Sequence, residues 1–194
     1  MKFQSTSAAL FLTLTLGLAG TALGGCAAEV QPDPAGAGET GEDEANLTSA
    51  QSKAIKELRA AVVGLTTGGS EGDPDPFKVT TVALKRGEKL DAKFLTTRVL
   101  PKLKDVYQTD IDAEYVPTYS KGTEAQIFDV FSEDSSPAKI KNLEKLVRKH
   151  LKNVQGGEIG YSFMDSMDTG SVARCIIGQI GNTVVVIWGI DVWT

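Results

Sequence analysis

The segment Thr183-Val-Val-Val-Ile-Trp-Gly-Ile-Asp-Val-Trp193 is the most informative part of the chain, because it is apolar at almost every position. Its β-branched and aromatic residues predict a strand. A strand with one face in water alternates apolar and polar residues, and this segment does not. We therefore predict a central strand that is covered on both faces.

Two more strands are predicted just before it, at Gly157 to Met164 and at Val172 to Ile180. The connecting segment 164–170 and the pair Gly181-Asn182 are typical of hairpins. The chain from residue 157 to residue 193 is therefore expected to form an antiparallel meander.

A long helix is predicted ahead of these strands. It begins at Ser136-Pro137, with proline at the first helical position. One apolar stripe is expected from Ile140, Leu143, Val147, Leu151 and Val154. The rest of the surface is basic, through Lys139, Lys141, Lys145, Arg148, Lys149 and Lys152. Two interpretations stay open, a solvated face, which we favour, and a contact for phosphate.

An earlier helix is predicted from Thr48, where Gln51 completes a capping box. Its apolar face comprises Ile55, Leu58, Val62 and Leu65, and it should end between residues 64 and 69. A strand follows at 77–84. Residues 85–135 are less informative. They suggest a helix within 90–103 that Pro101 interrupts, a strand within 107–119 and a helical turn at 124–131.

These elements predict an α/β domain over residues 48–194, of about the size of one hydrophobic core. The chain has a formal charge of −5. Residues 1–50 hold one basic and six acidic residues, so the remainder is neutral. A neutral domain disfavours direct binding of nucleic acid.

The first 26 residues are typical of a targeting segment. Lys2 precedes an apolar run over 8–22, which ends in Leu23-Gly24-Gly25-Cys26. This ending resembles a bacterial lipobox, in which Cys26 is acylated and anchors the protein to a membrane. We expect a lipoprotein of the cell envelope, in the periplasm or on the outer surface, or a secreted protein if Cys26 carries no lipid.

Residues 27–47 are rich in proline, glycine, alanine and acid and show no apolar periodicity. They predict a disordered acidic tether with an r.m.s. reach of roughly 25 Å.

Several catalytic arrangements are missing from the sequence. His150 is the single histidine, and no Gly-x-Ser-x-Gly elbow, zinc cluster or phosphate-binding loop accompanies it. If Cys26 carries lipid, Cys175 has no disulfide partner, and its apolar surroundings predict a buried thiol. A Cys175–His150 dyad and a site built only from carboxylates remain open. The sequence favours a binding protein without a cofactor or metal ion of its own over an enzyme.

The order of segments resembles the nuclease A inhibitor family. The resemblance begins with Glu57-Leu-Arg-Ala-Ala-Val-Val-Gly-Leu65, Ser70-Glu71 and Pro76-Phe-Lys-Val79. It resumes with His150-Leu-Lys-Asn153, Ile177-Gly178 and Gly181-Asn182, and it ends at Thr194.

The resemblance implies an α-β-α sandwich that inhibits a secreted, sugar-non-specific nuclease of the ββα-metal type. In that family the final threonine reaches the Mg²⁺ of the nuclease, and the glutamate of the Ser-Glu loop lies near it through water. The matching residues are Thr194 and Glu71, and we add Asp73 and Trp193 as contact residues. We expect a monomer whose partner is a secreted or periplasmic nuclease. The alternative is a non-enzymatic envelope domain that binds another ligand or protein.

Overall fold

The computed structural model of the protein describes residues 47–67, 75–104, 106, 115–123, 126–163 and 170–193. Its helices are α1 (Ser49–Val62), α2 (Ala92–Phe94) and α3 (Pro137–His150). Its strands are β1 (Lys78–Ala83), β2 (Tyr115–Lys121), β3 (Lys152–Phe163), β4 (Gly170–Ile180) and β5 (Thr183–Trp193). The strands form one antiparallel sheet in the order β1-β5-β4-β3-β2, which gives a mixed α/β fold.

The prediction for the last strand is confirmed. β5 lies between β1 and β4, and its residues 183–191 are all buried. Successive side chains of a strand point to opposite faces of the sheet. Val185 and Ile187 accordingly pack into a first apolar cluster on one face, and Val184 and Val186 pack into a second cluster on the other.

The cluster on the first face contains α1 and α3. Ile55 and Leu58 of α1 and Leu143 and Val147 of α3 are at most 1% exposed there. The predicted capping box of α1 is confirmed, since Thr48 and Gln51 bond to each other's backbone N–H groups. Burial of each such side chain stabilises the fold by about 1.5–3 kcal/mol.

The cluster on the second face contains a mixed helical segment at residues 92–102. α2 continues into a π-helical turn, Leu95–Val99, and a 3₁₀ turn, Leu100–Lys102. Phe94, Leu95 and Val99 are buried against the sheet. The predicted helix is therefore present, but Pro101 lies in its final turn and does not interrupt it.

One boundary was predicted wrongly. α3 ends at His150, Leu151 is extended, and β3 begins at Lys152. Val154 therefore belongs to the strand. Leu151 fits the apolar spacing of the helix because it is buried against the sheet, although it is not helical. The pairing of β3 with β4 shifts register between Lys152 and Gln155, directly after the helix ends.

The remaining elements follow the sequence in part. β2 covers the end of the strand predicted within 107–119, and residues 107–114 lie outside the described residues. Residues 126–131 form tight turns, with Asp129 N–H donating to Gln126 O at 3.2 Å. The β4–β5 hairpin turns at Gly181 as predicted, with φ of 59°. Residues 164–169 of the connection predicted at 164–170 lie outside the described residues, and Gly170 begins β4.

Gly178 of β4 allows the end of α3 to approach the sheet. A Cβ atom at this position would lie 2.7 Å from Leu151 Cβ, which is closer than van der Waals contact permits. We expect Gly178→Ala to lower the free energy of unfolding by about 1–3 kcal/mol, measured by urea denaturation. Gly122→Ala is the control, since its Cβ would meet no atom closer than 3.6 Å. Equal effects of the two substitutions would contradict this account.

Candidate functional site

Most of the predicted contact residues lie outside the described part of the chain. This holds for Glu71, Asp73 and Thr194, and also for the proposed lipidation residue Cys26. Trp193 is described as backbone, where it pairs with Gly170 at the end of the β4–β5 ladder. The structure does describe the residues at both ends of segment 68–74 and the last residues of β5.

The two ends of segment 68–74 are joined in a loop base, which comprises Thr66, Thr67, Asp75 and Pro76. Thr67 N–H donates to Asp75 O at 3.0 Å, and Thr66 forms an antiparallel bridge with Pro76. The described residues on either side of segment 68–74 therefore lie together.

The loop base is fixed to β5 by a buried hydrogen bond. The fully buried Thr67 donates its hydroxyl to Ile190 O at 2.7 Å. The neighbouring Gly189 leaves room for the approach, because a Cβ there would collide with the Thr67 methyl group. Ile190 precedes Trp193 by three residues. The loop base consequently lies beside the final residues of β5.

A second contact holds the loop base from the other side. Thr67 forms a bridge with Phe131, whose ring centroid lies 4.7 Å from that of Phe77. Thr66 also shares a hydroxyl network with Ser132 and Ser135, with a Thr66 Oγ1 to Ser132 Oγ distance of 2.8 Å. These contacts restrict the loop base to one position on the sheet.

The end of β5 also contains a buried charge. Asp191 is 2% exposed, and its Oδ2 lies 2.6 Å from Arg174 Nη2 of β4. Its Oδ1 accepts no hydrogen bond from the described residues. Glu158 Oε1 of β3 lies 3.6 Å from Arg174 Nε. Arg174 therefore links three strands and compensates the only buried carboxylate that the described residues contain.

A polar cleft of about 340 Å³ lies on this side of β2, β3 and β4. Its lining includes Ser120, Lys121, Gln126, Asp129, Glu158 and Arg174. Because it presents both signs of charge, it suits a small polar ligand better than a simple anion.

His150 lies where the helices α1 and α3 meet. Its side chain is 16% exposed, and its Nε2 donates to Glu57 Oε2 of α1 at 2.8 Å. This hydrogen bond lowers the pKa of Glu57, and the charge of Lys149, 3.6 Å away, adds to the effect. His150 therefore lies at the boundary of the core.

Cys175 lies on the other face of the sheet. It is fully buried in the cluster of the mixed helical segment, and its thiol donates to Ala173 O at 3.2 Å. Burial raises the pKa of this thiol and disfavours the thiolate. Since α3 packs on the opposite face, the sheet separates Cys175 from His150, and the dyad that the sequence left open is excluded.

No group of three or more His, Cys, Asp or Glu side chains among the described residues is arranged to hold a metal ion. No helix in the described ranges combines the length and apolarity that crossing a membrane requires.

Sequence reasoning missed Thr67, Arg174 and Asp191. One signal was available, because Asp191 is the only charged residue within the apolar run 183–193. A buried carboxylate requires a cation, but nothing in the sequence indicates that Arg174 of β4 provides it.

In comparisons with known proteins, no family model matches the chain and no curated protein matches it.

The Arg174–Asp191 pair is expected to stabilise the end of β5. Arg174→Met leaves a buried carboxylate without a counterion, which should lower the free energy of unfolding by about 3 kcal/mol. Arg174→Met/Asp191→Asn removes both charges and should recover part of this loss. Chemical denaturation of the three proteins measures both effects. If Arg174→Met were as stable as the parent, the pair would contribute nothing to the stability of the fold.

The Glu57–His150 contact predicts a pH dependence. The pKa of Glu57 is lowered from 4.5 in the folded state, so the contact stabilises the fold above that value. Its contribution is lost as the pH falls through the lowered pKa. Glu57→Gln should therefore be less stable than the parent at pH 6, and the difference should shrink as the pH falls below 4.5.

Thermal unfolding across this pH range tests the expectation. Glu144→Gln is the matched control, because it removes an exposed pair with Arg148 in which the atoms are 3.0 Å apart. A pH-independent difference between Glu57→Gln and the parent would refute the role of the carboxylate charge.

Proposed function

We propose that the protein inhibits a sugar-non-specific endonuclease of the ββα-metal type by presenting Glu71 and Thr194 to its Mg²⁺. The observation that supports this most is the hydrogen bond from Thr67 to Ile190 O, 2.7 Å long. It ties the base of the Glu71 segment to the strand that leads to Thr194. The described residues that flank these two positions, far apart in sequence, are thereby neighbours in the fold.

The lengths of the two connections are compatible with a common target. Thr194 follows Ile190 by four residues, which span about 13 Å in an extended strand. Glu71 is four residues from Thr67 and four from Asp75, so its reach from the loop base is at most about 14 Å. Both residues are therefore able to reach one metal ion beyond the end of β5.

The chemistry of the two side chains suits that target. Mg²⁺ binds oxygen ligands, and a carboxylate and a hydroxyl resemble the phosphate oxygens of a nucleic acid. Asp73 adds negative charge where a nuclease groove is positive. The pairing of Trp193 with Gly170 anchors the strand end, so little conformational entropy is lost on binding.

The architecture implied by the resemblance is part of the same proposal. We propose an α-β-α sandwich in which α1 and α3 form one outer layer and the mixed helical segment forms the other. The two apolar clusters on opposite faces of the sheet support this arrangement. We also propose a monomeric envelope lipoprotein, anchored through Cys26, whose partner is a secreted or periplasmic nuclease.

The polar cleft supports an alternative, in which the domain binds a small polar ligand in the envelope. Its residues Lys121, Asp129 and Glu158 belong to other parts of the fold than the loop base. Binding of such a ligand without any nuclease inhibition would favour this alternative.

Inhibition of a ββα-metal nuclease by the purified full chain tests the main proposal. We expect protection of a DNA substrate at micromolar or lower concentration. Deletion of Thr194 removes a hydroxyl from the metal site, and Glu71→Gln removes a negative charge beside it. Each change should weaken inhibition at least tenfold. Lys145→Gln, an exposed position on α3, is the control and should change inhibition less than twofold. No protection at micromolar concentration, or a larger effect of Lys145→Gln, would count against the proposal.

A further inference from the structure

The helices α1 and α3 carry a concentration of positive charge that the inhibitor proposal does not use. Together they contain eight lysine or arginine residues and two glutamates, although the whole chain has a charge of −5. Five exposed lysines define what we call the basic helical face, namely Lys53, Lys56, Lys141, Lys145 and Lys149.

The packing of the helices makes this a continuous surface. Lys139 Nζ at the start of α3 donates to Val63 O at the end of α1, at 3.1 Å. At the other end of α3, His150 contacts Glu57. The helices therefore lie side by side and antiparallel. Because their apolar sides are buried against the sheet, their lysines project away from it.

The two glutamates neutralise little of this charge. Glu144 pairs with Arg148 on the same helix, and Glu57 contacts Lys149 and His150 between the helices. Lys56, Lys141 and Lys145 form no ion pair with any described residue, and Lys53 interacts with Glu57 only through a weaker electrostatic attraction. The lysines consequently leave an excess of positive charge on a surface two helices wide.

We propose that the basic helical face binds the anionic phosphate surface of a lipid bilayer. Lysine is a compact, hydrated point charge that needs no fixed geometry in its partner, which suits a fluid layer of headgroups. The face lacks the exposed aromatic side chains on which single-stranded bases stack. At its border lies Val63, 59% exposed, which can contact the interfacial region of the bilayer.

The position of the face along the chain fits the same partner. α1 begins at Ser49, immediately after the tether that the sequence predicts between Cys26 and Thr48. A lipid on Cys26 would hold the face within roughly 25 Å of the membrane surface. Stable attachment commonly combines an acyl chain with a basic patch. The inference rests on the charge and packing of the helices and is independent of nuclease inhibition.

A second basic group lies on the other side of the sheet and provides a matched control. Lys89 and Lys93 are exposed beside the mixed helical segment, next to Asp91 and to the Glu88–Arg98 pair, in which the atoms are 2.8 Å apart. Lys89→Gln/Lys93→Gln removes the same charge as Lys141→Gln/Lys145→Gln, from a different surface.

The experiment measures binding of the full chain to two kinds of vesicle, one of phosphatidylcholine and one with added phosphatidylglycerol. We expect tighter binding to the anionic vesicles, and a loss of this preference at high salt. Lys141→Gln/Lys145→Gln should reduce the preference about 25-fold, from roughly fivefold for each lysine. The control variant should reduce it less than threefold. The apolar run 8–22 can insert into either kind of vesicle. Its contribution to binding therefore cancels when the two affinities are compared.

Three results would overturn the inference. The first is equal binding of the parent protein to both kinds of vesicle. The second is an equal reduction of the preference for anionic vesicles in the two double variants. The third is a variant Lys141→Gln/Lys145→Gln that loses affinity for duplex DNA and keeps its affinity for anionic vesicles. Unchanged thermal unfolding of the variants shows that they are folded. Nuclease inhibition should persist in Lys141→Gln/Lys145→Gln, so this inference and the inhibitor proposal can fail separately.

Discussion

The double-sided burial of β5 is the constraint on which the rest of the fold depends. A strand without a polar face must have apolar layers on both sides and hydrogen-bonded neighbours at both edges. Residues of α1 and α3 share a cluster with Val185 and Ile187, and residues of the mixed helical segment share one with Val184 and Val186. β1 and β4 provide the neighbours. β1 does not pair with β5 beyond Trp188. There the hydroxyl of Thr67 donates a hydrogen bond to Ile190 O in place of a strand partner.

The loop base thus occupies the edge of β5 where β1 ends, and it connects the buried strand to the candidate site. The same few residues complete the edge of β5 and join the two ends of segment 68–74. The buried Asp191, paired with Arg174, directly follows Ile190 in the strand. Buried ion pairs contribute less to stability than their geometry suggests, because both charges lose hydration. Their value here is the orientation that they impose on the strand that ends in Trp193.

Local signals in the sequence predicted local structure well. The capping box at Thr48 and the spacing from Ile55 to Val62 located α1, and the apolar run located β5. The same reasoning extended α3 to Val154, since helical spacing cannot distinguish a helix from a chain that turns and stays buried. Pro101 was read as an interruption because its place in a final 3₁₀ turn depends on packing against the sheet. The Arg174–Asp191 pair and the combined charge of α1 and α3 arise only when the topology brings distant segments together.

The strand order has a consequence for the timing of folding. β1 is the first strand of the sheet and β5 is the last, yet they are neighbours, with Lys78 opposite Trp188. The pairing cannot form until the chain has been synthesised through β5, and it closes a very long loop. Such high contact order slows folding and leaves β1 without its partner for longer than a hairpin would.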